Sequence, residues 1–131
     1  FGDVVANIKD VKKLINSHPF ALVECKKYPG GPVCTDAVLN QHLQTYGGLL
    51  KKELEILNPN MIVCTNKLIY GLVKDMFPKD EITEPQKDKI VYHKNSGTFI
   101  FNSYHPSARG ISYQRIYEYV INNYREFLQS N

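Results

Sequence analysis

Apolar residues recur every three to four positions in some stretches of the chain and run consecutively in others. The alternation of these two patterns sets the expected architecture. Val4, Val5, Ile8, Val11, Leu14 and Ile15 predict an amphipathic helix over 3–16, with Asp3 as its cap and Ser17-His18-Pro19 as its stop. Phe20-Ala21-Leu22-Val23 is a continuous apolar run and predicts a strand buried on both faces. The Gly- and Pro-rich segment 26–32 then predicts a loop. Leu39, Leu43, Tyr46, Leu50, Leu54 and Leu57 mark a long helix, capped near Thr35 or Asp36 and ended by Asn58-Pro59. Gly47-Gly48 interrupts it, and close packing against a neighbouring element is the expected reason.

Met61-Ile62-Val63-Cys64 predicts a second buried strand. Asn66 is the natural cap of a helix carrying Leu68, Ile69, Leu72, Val73 and Met76. The charged stretch from Pro78 to Asp88 reads as a surface loop. Residues 89–93 and 98–104 predict two further strands around a turn at Asn95-Ser96-Gly97. A last helix begins after Ser112, with Tyr113, Ile116, Tyr117, Val120, Ile121, Tyr124, Phe127 and Leu128 as its apolar stripe. Strands alternating with helices, without repeats or a linker, predict a single α/β domain over 1–131: three α/β/α layers and a mainly parallel sheet of about four strands. Ligands of such sheets bind beyond the carboxyl ends of the strands, which directs attention to the loops that begin at Glu24, Thr65 and Tyr104.

Composition narrows the picture. The chain has 131 residues, 43% hydrophobic and 22% charged, which excludes a disordered chain or a coiled coil. No apolar run approaches a membrane span, so no membrane partner is expected. A net charge of +3 permits nucleic-acid binding without pointing to it. Cys25, Cys34 and Cys64 form no CxxC pair and are odd in number, so a disulfide framework is not expected and a reducing cytoplasm is. His18, His42, His93 and His105 lie too far apart in sequence for a zinc site, and neither metal nor cofactor is expected.

The candidate chemistry lies between the last strand and the last helix, in Asn102-Ser103-Tyr104-His105-Pro106-Ser107-Ala108-Arg109-Gly110. Pro106 fixes the backbone after His105, and Gly110 relieves the turn before the helix. Such a loop can hold an imidazole at the edge of the sheet with Arg109 beside it, although His105 could equally cap a backbone carbonyl. Lys26, Lys27 and Tyr28 follow the first predicted strand and would form a basic rim with one stacking ring, suited to single-stranded nucleic acid; solvated surface is the plainer role. Asn66 opens a helix whose N-terminus could receive a phosphate.

The order strand, His-Pro-Ser-x-Arg, helix resembles the second motif of the uracil-DNA glycosylase superfamily. Leu57-Asn58-Pro59-Asn60-Met61-Ile62-Val63-Cys64 resembles that superfamily's helix-to-strand passage, and Phe20 to Gly31 its second strand and following loop. The resemblance implies a uracil-DNA glycosylase-like fold and a DNA-repair hydrolase that flips a base out of the stack. It implies that His105 donates to the base oxygen on which charge develops as the glycosidic bond breaks. Pro106 and Ser107 would hold a phosphate, and Arg109 would fill the stack. Glu24 stands where the family reads the base edge with Asn. An ionised Glu only accepts hydrogen bonds, so it would disfavour uracil's O4 and suit a base presenting an amino group; pairing with Lys26 or Lys27 is the plainer role.

Family members begin with a strand and a loop carrying an Asp or Asn that positions water, and no residue here matches it. The resemblance therefore implies a domain lacking an N-terminal strand and loop, with slow excision or none. Two alternatives stand beside the glycosylase expectation. One is a catalytically incomplete nucleic-acid- or protein-binding module of the same fold. The other is an unrelated α/β enzyme with Cys25 or Cys64 as nucleophile.

Overall fold

The computed structural model describes residues 13, 16–26 and 34–130. The helix expected over 3–16 lies, but for Lys13 and Asn16, outside the described residues. Helix α1 spans Asp36–Leu57 and begins as its sequence requires, with the Thr35 side chain accepting from the Val38 N–H. It ends at Asn58, which adopts a left-handed conformation (φ 42°) and donates its backbone N–H to the Leu54 carbonyl. Strand β1 is Met61–Cys64. Helix α2, Lys67–Lys74, is capped by Asn66, whose side chain accepts from the Ile69 N–H. A short 3₁₀ turn, Lys79–Glu81, leads into β2, Ile82–Gln86. Strands β3, Ile90–His93, and β4, Thr98–Asn102, follow, and α3 closes the chain as Tyr113–Gln129 with Ser112 as its cap.

The sheet has the order β1-β4-β3-β2. Only β1 and β4 are parallel, with Met61 opposite Phe99 and Cys64 opposite Asn102. The β2–β3 and β3–β4 pairs are antiparallel, which corrects the expectation of a mainly parallel sheet. The reason is connection length. Four residues, 94–97, join β3 to β4, and three, 87–89, join β2 to β3. A parallel return needs a crossover of roughly a dozen residues or more. Gly97 (φ 71°) closes the first turn by donating its N–H to the His93 carbonyl at 3.0 Å. Asp88 takes φ 61° in the second.

Two further expectations are corrected. Segment 78–88 is not simply a surface loop, because 82–86 form an edge strand. Its Pro85 is tolerated there, and the ladder is irregular between Thr83 and Gln86. Phe20–Val23 is not a strand. Val23 and Cys25 pack against Leu39, Leu43 and Leu50 of α1, while Phe20 and Leu22 are 71% and 80% exposed. Phe20, Ala21 and Leu22 are all exposed, so the run meets α1 only at its end, through Val23, and does not enter the sheet. Among the described residues nothing lies within 4 Å of where a Cβ on Gly47 or Gly48 would stand, so none of these neighbours accounts for them by close approach.

Two cores flank the sheet. On one face Cys64, Val91 and Ile100 meet Tyr70 and Val73 of α2, with Leu54 of α1 packed behind. On the other, Ile90 and Phe101 meet Phe127 of α3, with Phe99 and Tyr124 edge-to-face at 5.1 Å. Val91, Ile100 and Phe101 are fully buried, and each such side chain contributes about 1.5–3 kcal/mol by leaving water. The expected α3 stripe is only partly core. Ile121 and Phe127 are buried, whereas Tyr113 and Tyr117 are exposed.

Candidate functional site at the carboxyl edge of the parallel pair

Because β1 and β4 run in parallel as neighbours, the segments that leave their carboxyl ends emerge side by side. The Ser103 N–H, one residue past β4, donates to the carbonyl of Cys64, the last residue of β1, at 2.8 Å and fixes this alignment. Thr65-Asn66 and Tyr104-His105 therefore start from the same edge. Asn66 spends its side-chain oxygen on the Ile69 N–H at 2.9 Å, so its first role is to start α2.

The loop after β4 folds on itself. The Ala108 N–H donates to the His105 carbonyl at 2.8 Å, a tight turn for which Pro106 supplies the fixed φ. Gly110 takes φ 78°, as the turn into α3 requires. Within this turn the Ser107 N–H donates to His105 Nδ1 at 3.1 Å, and the Ser107 hydroxyl lies 2.7 Å from the same nitrogen. A backbone N–H can only donate, so Nδ1 is an acceptor and the neutral ring carries its proton on Nε2. Among the described residues nothing bonds Nε2. His105, Pro106, Ser107 and Arg109 are all exposed. The loop thus presents one aimed ring N–H and one guanidinium to solvent.

His93 makes a useful contrast. Its Nδ1 also accepts from a serine, Ser96, but its Nε2 is 2.8 Å from Glu81 and the ring is buried against Phe77. Of the two imidazoles, His105 has its donor uncommitted.

Structure adds two residues that the sequence reading passed over. Tyr104, next to His105, is 39% exposed and meets Tyr119 edge-on with ring centroids 5.5 Å apart. Its position immediately before His-Pro-Ser was the available signal. Ser103 is buried, and its hydroxyl has no hydrogen-bond partner among the described residues; a buried hydroxyl left unpaired costs about 1–3 kcal/mol. Nothing in the sequence marks it. Lys67 stands at the start of α2 and is exposed, but its ammonium bonds Asp88 at 2.8 Å. That contact raises the Lys67 pKa and lowers that of Asp88.

The remaining expected site residues are less gathered. Glu24 is exposed on the segment that packs on α1, so the premise that it ends a strand of the sheet does not hold. Lys26 is half-buried on the same segment, and Lys27 and Tyr28 lie outside the described residues. Among the described residues no disulfide joins Cys25, Cys34 or Cys64. Burial, together with nearby Cys25, pushes the Cys64 thiol up to about 12, which removes it as a thiolate nucleophile at neutral pH. Among the described residues no group of three His, Cys, Asp or Glu could hold a metal, and no helix is long and apolar enough to cross a membrane. Comparison with protein families, curated proteins and solved structures returns no match.

Proposed function

We propose that this domain binds DNA at the carboxyl edge of β1 and β4 and takes an extruded base against residues 104–109. There it hydrolyses the N-glycosidic bond to uracil or a related base, with His105 as the electrostatic catalyst. The observation that carries the reading is the exposed His105 ring, whose Nδ1 is held by Ser107 while Nε2 has no partner among the described residues. As the bond between base and sugar breaks, its electron pair moves onto the base and negative charge gathers on the base oxygens. A preset N–H donor stabilises that charge more than it stabilises the intact substrate. Water then bonds to the sugar carbon, and the proton it loses neutralises the departed base anion, which completes the hydrolysis.

Three further features support the reading. The strands carrying the Leu57–Cys64 and His-Pro-Ser segments are adjacent and parallel, so the two segments leave one edge of the sheet together. Arg109 is exposed four residues past His105, within reach of a gap left in a base stack, where a guanidinium can stack and bind phosphate together. Exposed Tyr104 offers a ring face to an unstacked base. Glu24 has no part in this reading.

The test is excision from single-stranded DNA containing uracil, read as abasic-site cleavage, for the wild-type chain and His105→Ala. Loss of one charge-stabilising donor lowers the rate about 100- to 1000-fold. Binding without excision selects the alternative, a catalytically incomplete binding module of the same fold. Absence of binding overturns both.

A further inference from the structure

A second polar cluster sits at the opposite edge of the sheet, where β4 begins and β3 ends. The Ser96 hydroxyl is 2.6 Å from His93 Nδ1, and His93 Nε2 is 2.8 Å from Glu81 Oε2. The Ser96 N–H also donates to Nδ1, at 3.3 Å, so Nδ1 is the acceptor and Nε2–H points at the carboxylate. This is the order of groups that activates a hydroxyl: a nucleophile on a base, and the base oriented by an acid. The Thr98 hydroxyl lies 2.7 Å from the Ser96 hydroxyl and donates to the Pro59 carbonyl at 2.8 Å, so the single Ser96 proton serves either Thr98 or His93 Nδ1, and transfer to the ring uses the second arrangement. The turn itself needs none of this, because the Gly97 N–H to His93 carbonyl bond already closes it.

The cluster opens into a cleft of about 330 Å³ whose walls include Leu54 and Phe77 and whose lining includes Lys51. His93 is buried while Ser96 is exposed, so the base is shielded and the hydroxyl can be reached. We propose that this cleft is an acyl-transfer site for small esters with a short apolar acyl group, with Ser96 as nucleophile and His93 as general base. The Ser96 oxygen bonds to the ester carbonyl carbon while its proton passes to His93 Nδ1. The carbonyl oxygen gains a negative charge in a cleft whose lining includes the cationic Lys51. The ester C–O bond then breaks, and the leaving alkoxide takes the proton from Nδ1. Water attacks the acyl-serine by the same route, releasing the carboxylic acid and restoring Ser96. Glu81 acts through the ring, as a positioning residue.

The test uses a fluorophosphonate probe and p-nitrophenyl acetate with the full chain. The expected result is a phosphonyl adduct on Ser96 and nitrophenol release that Ser96→Ala abolishes. This variant removes an exposed hydroxyl, leaves the Gly97–His93 backbone bond, and can be verified as folded by circular dichroism. His93→Gln should slow labelling by about 100-fold or more, the usual loss with a general base. Glu81→Gln should slow it too, and Glu81→Asp, which keeps the carboxylate, should recover part of the rate. A folded wild-type chain that leaves Ser96 unlabelled, or hydrolysis indifferent to Ser96→Ala, overturns the proposal and makes the cluster a brace for the β3–β4 turn.

Discussion

Ser107 holds His105 by two groups on one nitrogen, the N–H at 3.1 Å and the hydroxyl at 2.7 Å from Nδ1. Both contacts come from the residue two positions later, so the ring is oriented by its own turn and not by a distant element. This has a direct spectroscopic consequence. In its neutral form His105 should show the Nε2–H tautomer in long-range ¹H–¹⁵N correlation spectra. Ser107→Ala keeps the backbone donor but drops the hydroxyl, so the same tautomer should persist with a less ordered ring. A dominant Nδ1–H tautomer in the wild type would contradict the arrangement.

The Asn66 cap predicts a stability change. Its side chain satisfies the Ile69 N–H at the start of α2, the helix that follows β1 at the candidate site. Asn66→Ala should lower unfolding free energy by about 1 kcal/mol, read as a lower urea midpoint at unchanged slope. Asn66→Asp retains the acceptor and should recover most of the loss.

Acid sensitivity should centre on Glu84. Partial burial works to raise its pKa, but bonds from Lys74 at 3.0 Å, the Asp88 N–H and the Tyr70 hydroxyl outweigh that and hold it below the ordinary value. A carboxylate with a depressed folded-state pKa stabilises the fold fully above its unfolded value, about 4.3 for Glu. That stability is lost as pH falls below this value and through the lower folded one. Urea titrations at a series of pH values should show the loss in the wild type and a flatter profile for Glu84→Gln. Indistinguishable profiles would remove Glu84 from the account. The group is partly solvated, so the effect should be modest.

The sequence makes much of this legible where local rules decide. Thr35, Asn66 and Ser112 cap their helices as read, because a short polar side chain before an apolar stripe has one favourable use. The strands at 61–64, 90–93 and 98–102 follow from their apolar runs. Pairing direction follows from loop length instead. The Asn95-Ser96-Gly97 turn already demanded an antiparallel pair, since so short a connection cannot bring a strand back in parallel. Strand β2 is hidden because its charges and Pro85 look like a loop, yet an edge strand accepts both. Phe20–Val23 misleads in the opposite sense, since apolarity says that a segment packs but not on what. At the site, the His-Pro-Ser turn is readable from Pro106 and Gly110. The Ser107 clasp, the buried Ser103 hydroxyl and the spent Nε2 of His93 depend on three-dimensional contacts that no spacing encodes.

The central claim is that the edge carrying His105, and not the edge carrying His93, receives nucleic acid. Its most direct test is an amide and imidazole chemical-shift titration of the ¹⁵N-labelled chain with a short uracil-containing single strand at low salt. The account predicts shifts at Tyr104, His105, Ser107 and Arg109 that weaken as salt rises, with His93 and Ser96 unmoved. Shifts confined to the His93 edge, or none at any residue of the 104–109 loop, would contradict it.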